Sequence, residues 1–151
     1  MTTDPNSIVV AIYRLVSGRS DESRDWDEMR RLLMPSAMLR SIRHDGGVPV
    51  VRELTRDAWI DAAAARFAEE DFHERGAVRQ RSIDSDIATL ISPFAASRSP
   101  DGIAFEAGIN HFAFARIEHC WRIVQILWVV WPSGHQMASR VIAELDVGAA
   151  L

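Results

Sequence analysis

Cysteine is nearly absent: Cys120 is the single one in 151 residues. No intrachain disulfide can form, so burial must hold the fold, and the chain suits a reducing cytoplasm. Cys120 precedes Trp121 at the head of an apolar run and reads as a small buried hydrophobe. Glycine is sparse, at eight, and no phosphate-cradling loop is present; Gly46-Gly47 is explained by a turn. Near the C-terminus the longest apolar run is Ile126 to Pro132, far short of the roughly 20 residues of a membrane-spanning helix. Met1 to Ser7 lack the basic start and apolar core of a signal peptide. Dense basic runs are missing too. The formal charge is -4, from 17 basic and 21 acidic residues, so neither nucleic acid nor a membrane is an expected partner. The five histidines (His44, His73, His111, His119 and His135) show no His-x-His or His-Glu-x-x-His spacing, and no metal or other cofactor is expected.

What is present is a hydrophobic fraction of 48% in 151 residues. A chain of this length buries about 68–70% of its unfolded surface, enough for one domain spanning 1–151. Asp4 or Asn6 caps a first helix, with Ile8, Ile12, Leu15 and Val16 on one stripe, and Gly18 ends it. A second helix begins near Ser23 and presents Trp26, Met29, Leu32 and Leu33, with Pro35 as its stop. Residues 36–44 and 48–54 are extended around a His44-Asp45-Gly46-Gly47 turn. Thr55 caps a third helix carrying Trp59, Ala63 and Phe67. From Phe72 onward the pattern predicts four long strands, at 72–83, 87–98, 104–118 and 120–132. Tight turns between them require antiparallel pairing. Helices first and a bent sheet second define an α+β domain.

Three stretches carry a more specific resemblance: Phe72-His73-Glu74-Arg75, Gly108-Ile109-Asn110-His111-Phe112, and the run from Trp121 through Ile123 and Val124 to Leu127-Trp128. With the order of elements over residues 7–132, they resemble the nuclear transport factor 2-like (NTF2-like) superfamily. That is the cone-shaped fold of ketosteroid isomerase, scytalone dehydratase and SnoaL-like polyketide cyclases. The motifs are most similar to an uncharacterised bacterial subgroup. The resemblance implies three N-terminal helices packed on a strongly bent antiparallel sheet, a core over 7–132 with an extension at 133–151, a pocket, and a homodimer. Two positions depart from the subgroup: Ala107 stands where it has arginine, and Arg122 where it often has tryptophan. No superfamily catalytic set carries over residue by residue.

Strand parity nominates the site residues. Glu74 alternates with Phe72, Gly76 and Val78, opposite His73, Arg75, Arg79 and Arg81. It reads as a pocket carboxylate, acid or base, or as a structural glutamate paired with a donor; loss of arginine at Ala107 removes one such partner. Asn110 and Phe112 share a face. Asn110 either orients a ligand carbonyl or ties strands together. His111 faces the other way, as a general base or as a satisfied core or interface histidine. Tyr13 offers the only phenolic hydroxyl, for a ligand or for ordinary packing. Gln125 alternates with Trp121, Ile123 and Leu127, and Trp128 with Val124 and Ile126, so both faces of this strand are apolar. A second cover is needed: a partner subunit, or residues 137–147 folding back. Arg75, Arg79 and Arg81 read as a solvated strand face, with a phosphate- or anion-binding patch as the alternative.

Three functions follow. The first is binding of an apolar small molecule (steroid-like, polyketide-like or otherwise cyclic) in a pocket with polar anchors, with Tyr13, Asn110, Phe112, Gln125 and Trp128 expected around the ligand. The second is isomerase, dehydratase or cyclase chemistry in the same pocket, with Glu74 or His111 as the acid-base residue and Asn110 or Tyr13 as donor. The third is a dimeric interaction module whose tryptophans fill the core.

Overall fold

The computed structural model describes residues 4–150, with side chains through Gly148. Helix α1 is Pro5–Val16, started by Asp4, whose carboxylate accepts from the Asn6 backbone N–H. Helix α2 is Trp26–Leu32, and its cap is Asp25, which accepts from the Glu28 N–H at 3.0 Å. The expected start at Ser23 is therefore two residues early. Leu32 ends this helix, and Pro35 falls inside strand β1, Leu33–Asp45. Pro35 is tolerated there because pairing to the neighbouring strand lapses between Leu33 and Met38. A Gly46-Gly47 turn with positive φ at both residues leads to β2, Val48–Thr55. Thr55 caps α3, Arg56–Phe67.

The expected strand 72–83 is two strands, β3 His73–Gly76 and β4 Gln80–Asp84, both antiparallel to β5 Ile87–Ser97. The break lies opposite Pro93. The Pro93 carbonyl accepts from Ala77, and on that same side Pro93 has no N–H to give. Strands β6 Ala104–Ile117 and β7 Cys120–Pro132 complete the sheet, in the order β2-β1-β7-β6-β5-β3. All pairs are antiparallel except β1 with β7, which is parallel. These two strands are far apart in the chain, so no hairpin dictates their direction.

β7 contains a bulge. Ala113 pairs with Gln125 but Phe114 pairs with Ile123, leaving Val124 as an extra residue. Parity inverts there, so Ile123 and Ile126 both face the concave side. Gln125 moves to the convex side, and the simple alternation expected along this strand fails.

Helices α1, α2 and α3 cover the concave face and build the main core with Leu39, Leu90, Phe112 and Phe114. A fourth helix, α4 Gln136–Ala150, lies on the convex face. Its Ala138, Val141 and Leu145 pack on Ala95, Ala107 and Trp131. Of the two covers considered for this face, the returning C-terminal segment is present over that part of it. Arg75–Asp146 and Arg79–Glu144 ion pairs, at 2.8 and 2.7 Å, fasten α4 to the sheet. Arg81 approaches Asp4 at 3.7 Å, so the three clustered arginines are each spent on a carboxylate. Among the described residues no helix is long and apolar enough to cross a membrane.

Candidate ligand cavity

The concave face is layered by the strand registers. An apolar row runs Leu54, Leu39, Ile126, Phe112, Leu90 across five strands. Two residues along lies a mostly polar row: Arg52, Ser41, Trp128, Asn110, Ser92. Further along the sheet, Phe94 lies between Gly108 and Gly76, and beyond them Ala96 separates Glu106 from Glu74. Helices close the other side. The result is a cavity of about 180 Å³, walled by residues of these rows and by Trp59 and Phe67 from α3.

Glu74 enters the cavity from β3. Its backbone N–H donates to Ser17 Oγ at 2.9 Å, and that hydroxyl donates to the Tyr13 carbonyl at 2.6 Å, so the end of α1 fixes the strand position. The Glu74 side chain is half-buried where it lines the cavity, and its carboxyl makes no hydrogen bond or ion pair among the described residues. Removal from water raises its pKa to about 8; the nearby Glu106 adds to the rise and Arg66 opposes it. Glu106 is buried and approaches Arg43 at 3.3 Å.

Asn110, Phe112 and Trp128 all line the cavity. Asn110 also ties its strand to helix α1, where a tie to an adjacent strand was the expected alternative. Its amide donates to the Tyr13 hydroxyl at 3.1 Å, and that hydroxyl sits 2.5 Å from Ser92 Oγ. Tyr13 is thus spent on protein partners, and its side chain is outside the cavity lining. Burial pushes its pKa up, so it stays a neutral phenol. The tight fit has a backbone cause: a Cβ at Gly76 would lie 2.4 Å from Tyr13 Cζ, so only glycine lets α1 approach this closely. The structure therefore withdraws Tyr13 as a ligand contact.

Two other expected site residues are elsewhere. His111 is exposed on the convex face, opposite Leu127 and Ile91, and cannot serve this cavity as a base. Gln125, displaced by the bulge, accepts from Arg40 Nη1 at 2.5 Å outside the cavity. Ala107 is fully buried beneath α4, so the arginine replaced there is no missing partner of Glu74.

Sequence parity missed four charged lining residues: Glu106, Arg43, Arg52 and Arg66. Glu106 was within reach, because it alternates with Gly108, Asn110 and Phe112. Arg43 and Arg52 needed the hairpin register, and Arg66 needed the seating of α3.

No family model and no curated protein sequence matches the chain. Solved structures do. An NTF2-like protein with a cystatin-like fold from Novosphingobium aromaticivorans aligns with a TM-score of 0.63 at 15% identity, over 90% of this chain and 84% of that one. An NTF-2 like protein of unknown function from Silicibacter pomeroyi aligns at 0.59 and 18%, over 83% and 91%. A protein of unknown function with a cystatin-like fold from Nostoc punctiforme aligns at 0.64 and 11%, over 84% and 88%. The fold is the α+β cone of the NTF2-like proteins.

Proposed function

We propose that the cone binds a small cyclic, largely apolar molecule and that Glu74 exchanges a proton with it. One observation carries this reading: an unpartnered, desolvated carboxyl in a cavity otherwise walled largely by apolar side chains. A carboxyl drawn partly out of water with no hydrogen-bond partner costs stability, and groups of this kind concentrate where chemistry is done. With its pKa raised to about 8, Glu74 holds its proton at pH 7 and can release it near that pH, so both acid and base forms are within reach. Asn110 offers its second amide proton where negative charge develops on a carbonyl oxygen. The reaction class is proton transfer beside a carbonyl, as in isomerisation or dehydration.

Size narrows the ligand. Drug-sized ligands occupy roughly 300–1,000 Å³, whereas a cavity of about 150 Å³ accepts benzene. At about 180 Å³ this cavity suits one or two rings, not a four-ring steroid. It also speaks against a core filled by its tryptophans.

The bicyclic ketone 2-tetralone provides the test. In D2O the protein is expected to accelerate exchange of the protons beside its carbonyl, followed by proton NMR. Glu74→Gln is expected to lower that rate by roughly 100-fold or more. Equal rates in buffer and protein, or in protein and variant, would reject the acid-base role.

The convex face supports a second proposal. α4 leaves Leu127, Ile91 and His111 uncovered by its cluster, and Leu127 is half-buried. We propose a homodimer through this remaining patch, in keeping with the resemblance that first suggested one.

A further inference from the structure

Three guanidinium groups line the cavity, and their situations differ. Arg43 approaches Glu106, and Arg66 is held by Glu70. Arg52 has no hydrogen bond or ion pair among the described residues. The register places it at the β2 end of the polar row, opposite Ser41, on the outermost strand of the sheet. An arginine on an edge strand is ordinarily a solvated side chain, but this one borders the cavity instead of facing away from it. Beside it, Leu54 and Leu39 begin the apolar row, and Trp128 lies two strands inward. The cavity therefore has one uncompensated cation at its rim and an apolar wall beside it.

We propose that the ligand is a one- or two-ring carboxylic acid, its carboxylate paired with Arg52 and its rings against Leu39, Phe112 and Trp128. The inference rests on the pocket reading above and names its substrate class. A planar carboxylate matches the guanidinium fork with two parallel hydrogen bonds. Arg52 is exposed, so a charge bound there keeps part of its hydration and avoids the penalty of deep burial. A single unpaired guanidinium suits one negative charge; a phosphate dianion would call for more donors. The Glu106 carboxylate lies further along the sheet and repels an anion, which orients the molecule with its carboxylate toward β2.

Two probes of equal ring size separate the contributions: 2-naphthoate and the neutral 2-naphthalenemethanol, titrated calorimetrically at pH 7 and low salt. In the wild type, naphthoate is expected to bind about 10-fold or more tightly than the alcohol, as for a charge-assisted bidentate pair. Arg52→Gln is expected to bring that ratio close to one while leaving the alcohol's affinity unchanged. Circular dichroism checks its fold, and Arg52→Lys, which keeps the charge without the fork, should retain only part of the preference. Binding of the alcohol with no preference for the acid overturns the carboxylate proposal and leaves the pocket standing. A preference that survives in Arg52→Gln also overturns it. Failure of both probes to bind overturns the proposal and the pocket together.

Discussion

Glu74 is where a single side chain sets a property of the whole chain. Its folded pKa of about 8 stands above the ordinary 4.5. Between these values the folded state holds a proton that the unfolded state has released. Stability therefore falls as pH rises through that window. Glu74→Gln removes the dependence. Its melting temperature should match the wild type near pH 5 and exceed it by about 4 °C or more at pH 9, read by thermal scans in parallel buffers. A variant that melts lower than the wild type at pH 9 would show a carboxyl stabilised by contacts rather than stranded. Gly76 makes the complementary case. Gly76→Ala should cost about 1–3 kcal/mol in urea unfolding, because its methyl group meets the Tyr13 ring. Strand alternation alone puts Glu74 with the apolar set and Asn110 with Phe112 on one face. Consumption of the Tyr13 hydroxyl is not legible in alternation, since it depends on how closely helix α1 approaches Gly76.

Among the elements, α4 is held by burial more than by charge. Leu145 and Val141 are buried against the sheet, whereas both partners of the Arg79–Glu144 pair are about two-fifths exposed. Leu145→Ala should cost about 2–4 kcal/mol and Arg79→Ala no more than about 1 kcal/mol, compared by urea denaturation. Equal losses would show that the ion pairs hold the helix. Most helices and strands were readable from caps, turns and periodicity: Asp4 and Thr55 at helix starts, Gly46-Gly47 between strands. The misreadings have local causes that single-strand periodicity does not contain. Pro35 looked like a helix stop but sits where β1 leaves its ladder. Val124 is an extra residue only with respect to β6, so the reversal that expels Gln125 is a property of a pair of strands.

For the whole molecule, the partly covered convex face yields the remaining prediction. Light scattering on a sizing column should give twice 16.9 kDa at micromolar concentration. Leu127→Arg should return it to a monomer by placing a charge in the proposed interface. A wild-type monomer would mean that α4 suffices as a cover. By itself the sequence determined the α+β class, the places of α1, α3 and the long strands, and which side chains share a face of an unbulged strand, because these follow from periodicity and capping within short stretches of chain. Only the tertiary structure decided that β1 runs parallel to β7, that α4 returns over the sheet, and that Glu74, Glu106 and Arg52 border one cavity. Those facts depend on registers between distant strands and on how closely layers pack, and such distances are set by the folded chain as a whole.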